Sequence, residues 1–191
     1  MSDYKILDWD SNILGFKVAG IVRTQLNGSA LARVLAKLRE QHIRLAYWGP
    51  EANDAISRVA ADELNGFLTG VKRIYLVDVP DLAERNWVAD ETFPIVLNEN
   101  VGESVINLVL KRAVHSRFYR DPRMRDSFYT DIMSEWIRGS IENDTIFVEL
   151  DGSQLVGFVS LNDRDGNGNI DFIAVDQRYA GRGYGSRLLA V

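Results

Sequence analysis

The stretch Ile173-Ala174-Val175-Asp176-Gln177-Arg178-Tyr179-Ala180-Gly181-Arg182-Gly183-Tyr184-Gly185-Ser186-Arg187-Leu188-Leu189 decides how this chain is understood. It opens apolar and β-branched, passes through three glycines at alternate positions and closes on a leucine-rich run, a pattern that predicts strand, turn and helix. Glycines at 181, 183 and 185 let the backbone take positive φ and approach a ligand closely. The N–H groups that open such a helix form an anion site needing no charged side chain, and a diphosphate suits it. The same glycines also serve a bare strand-to-helix turn, so the stretch by itself leaves both readings open.

Working back from it, Thr145–Leu150 and Gln154–Leu161 alternate apolar residues around Asp151-Gly152-Ser153, which predicts a hairpin. A polar tract, Asn162–Asn169, leads into the strand Ile170–Val175. Ser104–Ser116, with Leu108, Leu110 and Val114 facing inward, and Ser127–Ile141 have helical spacing, and Phe93–Leu97 is expected as a strand. Toward the N-terminus, strands are expected at Phe16–Arg23, Ile43–Trp48 and Val71–Val79. Helices are expected between them, at Ser29–Gln41 with Ser29 as N-cap and at Asn53–Leu64 stopped by Asn65-Gly66. The result is a βαβαβ N-terminal domain over residues 1–80, an acid-rich linker at 81–92 and a second domain over 93–191. The helix after the glycines is expected still to be running at Val191, without a cap, as if interrupted in mid-element.

Composition narrows the function classes. With 191 residues, 46% hydrophobic and 26% charged, the chain has the material for a real core. A formal net charge of −5 argues against a phosphate-binding surface for nucleic acid. The absence of cysteine excludes disulfides, thiol catalysis and Cys-based zinc or iron–sulfur sites. Neither a basic leader followed by an apolar run nor an apolar stretch of membrane-spanning length is present, so a cytoplasmic location is expected.

Two further stretches carry chemistry-bearing residues. Asp163-Arg164-Asp165-Gly166-Asn167-Gly168-Asn169-Ile170-Asp171 follows the opening of an EF-hand calcium loop, but Ala174 stands where that loop needs a bidentate Glu. A strand pattern enters it in place of a helix, so a polar turn between antiparallel strands explains it better and no metal is expected. Between Lys111 and Arg125, Lys111, Arg112, Arg117, Arg120, Arg123 and Arg125 crowd around His115. Such a run usually marks a helix C-terminus and a solvated loop, but in an acidic protein it also suits a nucleotide diphosphate, with Phe118 and Tyr119 available to stack on a base or sugar.

Ile173-Ala174-Val175 followed by Gly181-Arg182-Gly183-Tyr184-Gly185-Ser186-x-Leu188-Leu189 resembles the acetyl-CoA signature of the GNAT superfamily of N-acetyltransferases. The resemblance implies a mixed α/β fold with a mixed central sheet, cut short after the phosphate-loop helix. It implies Ile173, Ala174 and Val175 against the pantetheine arm, and Ala180, Gly181, Arg182, Gly183, Tyr184, Gly185 and Ser186 around the diphosphate of acetyl-CoA, the co-substrate. The family's Gln/Arg position falls on Ala180, which has no side-chain donor, so backbone donors are expected to carry the binding; Arg178 fits that position only if the loop shifts by three residues.

Ser116-Arg117-Phe118, the Asp121-Pro122 loop, Phe128-Tyr129, Trp136-Ile137 and Arg138-Gly139, with Leu7-Asp8-Trp9-Asp10-Ser11 and Leu14-Gly15-Phe16-Lys17-Val18 ahead of them, resemble the acetyltransferases of dTDP-4-amino-4,6-dideoxygalactose. That likeness implies a nucleotide-linked amino-sugar acceptor, with Arg117, Phe118, Tyr119 and Arg120 as substrate contacts, and a homodimer as a possible assembly. The amine would attack the thioester directly, with the oxyanion on a backbone N–H near Ala174. The family's Glu base position falls on Asn169, leaving Asp171 as a weak candidate base, and the general-acid tyrosine is expected on a segment beyond Val191. Three alternatives stay open: another small amine as acceptor, an acyl-CoA-binding or regulatory module without catalysis, and a calcium-responsive module.

Overall fold

The computed structural model describes residues 2–78 and 99–190. The expected linker, the strand expected at Phe93–Leu97 and position 79 lie outside the described residues. The chain divides into two compact units, Met1–Val71 with Arg120–Phe128, and Lys72–Tyr119 with Tyr129–Val191.

In the first unit the order is β1 (Tyr4–Ile6), α1 (Asp8–Leu14), β2 (Val18–Ile21), α2 (Gly28–Glu40), β3 (Leu45–Trp48) and α3 (Ala55–Glu63). β1 runs antiparallel to β2, and β2 runs parallel to β3 with α2 as the crossover. Leu31, Val34 and Leu38 lie at helical spacing and enter a core with Ala19, Leu26, Ile43 and Ala60. The N-cap of α2 is Asn27 in place of the expected Ser29: the Asn27 carboxamide oxygen accepts the Ala30 N–H at 3.0 Å, and the Ser29 hydroxyl also donates to it. α3 starts from Asp54 and ends where Asn65 turns left-handed, φ 59°, as the Gly66 N–H closes onto the Ala61 carbonyl at 2.7 Å.

This layout corrects the expected βαβαβ in two ways. A strand and a helix, β1 and α1, precede it, and residues 71–78 take no regular structure. Val71, Ile74, Tyr75, Leu76 and Val77 stand exposed, Leu76 at 90%. A β-branched run supplies strand propensity, but a strand exists only through a partner, and none pairs with this run among the described residues.

The remaining elements are α4 (Glu99–Arg112), α5 (Arg117–Arg120), α6 (Pro122–Arg125), α7 (Tyr129–Asn143), β4 (Thr145–Asp151), β5 (Gln154–Arg164), β6 (Asn167–Val175), a 3₁₀ turn at Gln177–Tyr179 and α8 (Tyr184–Leu188). α4 stops at Arg112, short of the expected Ser116, and Val105, Ile106, Leu108 and Val109 are its buried residues, so Val114 falls beyond the helix. β4, β5 and β6 form an antiparallel meander. The mixed sheet expected for this part therefore differs: among the described strands, the mixed pairing lies in the first unit.

Val156, Phe158 and Val159 of β5 are fully buried, as are Ile132 and Ile137 of α7. Trp136 meets Phe172 of β6 and Phe118 edge-on, with ring centroids 4.9 and 6.3 Å apart, which ties α5, α7 and β6 into one packed layer. α8 spans Tyr184–Leu188, and the Leu189 N–H bonds back to the Gly185 carbonyl. Among the described residues no helix is long and apolar enough to cross a membrane.

Candidate functional site

Glu149 of β4, Gly157 of β5 and Val175 of β6 stand opposite one another in register, and that row faces α8. Gly157 makes the close approach possible. A Cβ there would sit 2.8 Å from the Ala174 carbonyl oxygen, 3.1 Å from Leu188 Cδ1 and 3.2 Å from Val175 Cγ2. With Leu188 fully buried against this row, α8 is seated on the sheet and the turn before it is held at the C-terminal end of β6.

That turn has the backbone its glycines predict. Gly181 and Gly183 take φ of 78° and 84°. Ala180, between the 3₁₀ turn and the first glycine, is extended. Among the described residues, the N–H groups of Gly181, Arg182, Gly183, Tyr184, Gly185 and Ser186 have no acceptor on backbone or side chain. Gly181, Arg182, Gly183 and Ser186 are exposed, with Tyr184 and Gly185 half-buried. A run of accessible donors in a left-handed turn is what an anionic oxygen cluster requires, because each N–H has exchanged neither its water nor its partial charge for a protein acceptor.

Side chains brace the loop on both flanks. The Arg178 guanidinium donates to both oxygens of Asp176, at 3.1 and 2.8 Å, and holds that carboxyl down to about 2. The Tyr179 hydroxyl donates to Asp151 at 3.0 Å, a bond that raises the phenol's affinity for its proton. Gln177 accepts from Arg112 at the end of α4. Arg187 makes a forked pair with Glu149, Nε to Oε1 at 2.8 Å and Nη2 to Oε2 at 3.2 Å, and its guanidinium carbon lies 4.3 Å from the Tyr184 ring centroid. The Arg182 guanidinium carbon lies 5.3 Å from the Tyr179 ring centroid.

Ile173, Ala174 and Val175 end β6, which pairs only with β5 among the described residues. The Asp176 N–H donates to Val156 on β5, so by the strand's alternation Ala174 also turns its N–H and C=O toward β5. The backbone groups of Ile173 and Val175 are those directed to the other edge. That edge can accept an extended chain of amides, and it leads directly into the glycine turn.

Asp171 is already occupied. One oxygen accepts from Asn162 at 3.2 Å and Arg164 at 2.6 Å, the other from Asn169 at 2.9 Å. With both oxygens engaged by three donors within the hairpin, the carboxylate is not turned toward an acceptor amine, which counts against the role expected for it as a base. The EF-hand-like stretch is the hairpin itself: Arg164 pairs with Asn167 across a two-residue turn in which Asp165 and Gly166 take φ of 57° and 78°. Its polar side chains are spread along two strands and do not ring a cavity.

The basic stretch is mostly used locally. Lys111 and Arg112 close α4, where a helix C-terminus favours cations. Arg123 forks onto Asp121, whose carboxyl it lowers, and Arg125 pairs with Asp126. Phe118 is 1% exposed and its ring is spent on Trp136, so the expectation that it stacks on a substrate base is corrected. Tyr119 is half-buried against Tyr129 at 5.1 Å, while Arg117 and Arg120 are exposed. Sequence reasoning passed over Glu149 and Arg187, although a charged residue inside the apolar alternation Ile146-Phe147-Val148-Glu149-Leu150 signals a buried partner.

Residues 110–191 match the acetyltransferase (GNAT) family model. The GNAT match covers the strand edge, the glycine turn and α8 together, and it supports acetyl-CoA-dependent N-acetyl transfer in general. No curated protein matches the chain.

Proposed function

We propose that the chain binds acetyl-CoA through the turn at residues 180–186 and transfers the acetyl group to the amine of a small-molecule acceptor. The observation that carries the reading is the run of six N–H groups, Gly181 to Ser186, that have no acceptor among the described residues and open a left-handed turn. The diphosphate would lie across these donors, and the pantetheine amides would pair with the outward backbone of Ile173 and Val175. The acceptor ammonium first gives one proton to solvent; the free amine then attacks the thioester carbonyl, the C–N bond forms and the C–S bond breaks. The second proton shed by the nitrogen goes, directly or through water, to the departing sulfur, so that CoA leaves as thiol. Because the Ala174 N–H is turned toward β5, the oxyanion expected near Ala174 would instead meet an outward N–H of β6, that of Ile173 or Val175.

The finer reading is a nucleotide-linked amino sugar of the dTDP-4-amino-4,6-dideoxygalactose type, with Arg117, Tyr119 and Arg120 toward its diphosphate and sugar. Its support is the exposure of two arginines adjacent to a half-buried tyrosine on one short helix. Because Asn162, Arg164 and Asn169 already hold Asp171, no base on this hairpin is assigned.

Calorimetric titration of acetyl-CoA into the 191-residue chain tests the first part. Micromolar affinity is expected, and no heat at millimolar ligand would remove the reading. A thiol-release assay over a panel of amines and dTDP-amino sugars tests the second. Turnover with simple amines but none with nucleotide sugars would reject the finer acceptor, and binding without any turnover would leave an acyl-CoA-binding module.

A further inference from the structure

Resting on the cofactor reading above, we infer that Arg187 is a side-chain ligand of the diphosphate, aimed at the turn by Glu149. Glu149 is 9% exposed and faces α8 from β4, directly across the sheet from side-chain-free Gly157, so its carboxylate reaches α8 unobstructed. It takes two of the three guanidinium nitrogens of Arg187, Nε and Nη2. The third, Nη1, is turned to the glycine loop, 3.8 Å from the position a Cβ would take on Gly183. The Tyr184 ring lies against the same guanidinium and limits its swing.

Charge bookkeeping around the loop gives this nitrogen its importance. The backbone donors bring partial charges only, whereas a diphosphate brings full ones. Arg178 is neutralised by Asp176, Arg112 is turned to Gln177, Ala180 offers no side-chain donor, and the guanidinium of exposed Arg182 lies over the Tyr179 ring with no carboxylate to aim it at the turn among the described residues. Arg187 keeps one edge of a planar fork for an oxygen bound over Gly183, and its carboxylate partner is on the opposite edge. α8, five residues long, adds no helix-terminus effect to this argument.

The test compares acetyl-CoA with acetylpantetheine, which has the thioester and both amides but no diphosphate. Titrations of both into the wild-type chain, Arg187→Gln and Glu149→Gln are read with each variant's melting temperature. Arg187→Gln is expected to weaken acetyl-CoA about tenfold and to leave acetylpantetheine unchanged, since one charge-assisted contact is removed. Glu149→Gln retains an acceptor for Nε but removes the offsetting negative charge, so acetyl-CoA is expected to bind about threefold more tightly even as the melting temperature falls. A purely structural clamp predicts the opposite sign: both variants would weaken both ligands in step with the loss of stability, and that outcome overturns the proposal. Should Arg187→Gln fail to fold, the sign of the Glu149→Gln effect still decides. A wild-type chain that binds no acetyl-CoA would reject the underlying cofactor reading; wild-type binding that Arg187→Gln leaves intact would reject the role of Arg187 alone.

Discussion

Gly166 and Gly183 share a backbone conformation and differ in what surrounds their donors. Both take a left-handed φ, 78° and 84°, both are exposed, and a Cβ on either would meet almost nothing: no atom within 4 Å at Gly166, and the Arg187 Nη1 at 3.8 Å at Gly183. Both lie in polar, glycine-rich stretches that match a known ligand-binding pattern. In the hairpin, however, the Gly166 N–H is taken by the Asp163 carboxylate at 2.9 Å, and β5 and β6 pair up to the turn. At the other turn six successive N–H groups have no acceptor among the described residues. The lesson is that glycine content predicts a conformation, while unspent hydrogen-bonding capacity marks a site.

Valine at each position breaks the comparison most directly. A β-branched side chain at positive φ costs roughly 1–2 kcal/mol at either position. Gly183→Val adds to that a side chain over the donors, so acetyl-CoA affinity is expected to fall by about a hundredfold, equivalent to about 2.7 kcal/mol. Titration checks it, and unaltered affinity would place the diphosphate elsewhere. Gly166→Val is expected to lower stability in urea by only the shared ~1–2 kcal/mol and to leave acetyl-CoA affinity as it was. If affinity dropped there too, the two turns would be coupled and the contrast between them would fail.

How far the sequence carried this picture depends on whether the governing interaction is local. Strand, turn and helix at 170–188 were legible because β-branched spacing, glycines and apolar periodicity act within a few residues. Before it, a polar turn between antiparallel strands was legible as the tract Asn162–Asn169, but not that both strands run through that tract to a two-residue turn at Asp165-Gly166, because its polar residues carry little strand propensity of their own. By contrast, the N-cap of α2 was misplaced because two cap-competent residues, Asn27 and Ser29, stand two apart, and only the geometry shows Asn27 bonding Ala30. The strand expected at Val71–Val79 had propensity but no local information about a partner. α1 was passed over because Leu7 at its N-cap offers no capping side chain; the usable signals were Asp8 and Asp10 in the first turn and the left-handed Gly15 that ends it. In the candidate site, the glycines were readable, whereas the Glu149–Arg187 pair joins residues 38 apart in sequence and is visible only once β4 and α8 are packed together.

The smallest effect is expected at the brace between the strand and the turn. Asp176 holds its carboxyl at about 2 because the Arg178 side chain, and then its backbone N–H, bond the charged form. A carboxyl whose folded value lies below its unfolded one contributes stability above the unfolded value, here 3.8, and loses it as pH falls through the folded value near 2. Asp176→Asn removes the titration and keeps most of the shape, so the difference in melting temperature between wild type and variant should be a few degrees at pH 5 and shrink toward zero by pH 2. Arg178 is largely exposed, which screens the pair and keeps the effect small. A difference that stayed constant across this range would mean that the carboxylate's charge contributes nothing and that the Asx-type bond to the Arg178 N–H alone holds the turn. In that case the donors of Gly181 to Ser186 would be positioned by backbone geometry, and the acidic side chains around them would serve only to offset the arginines.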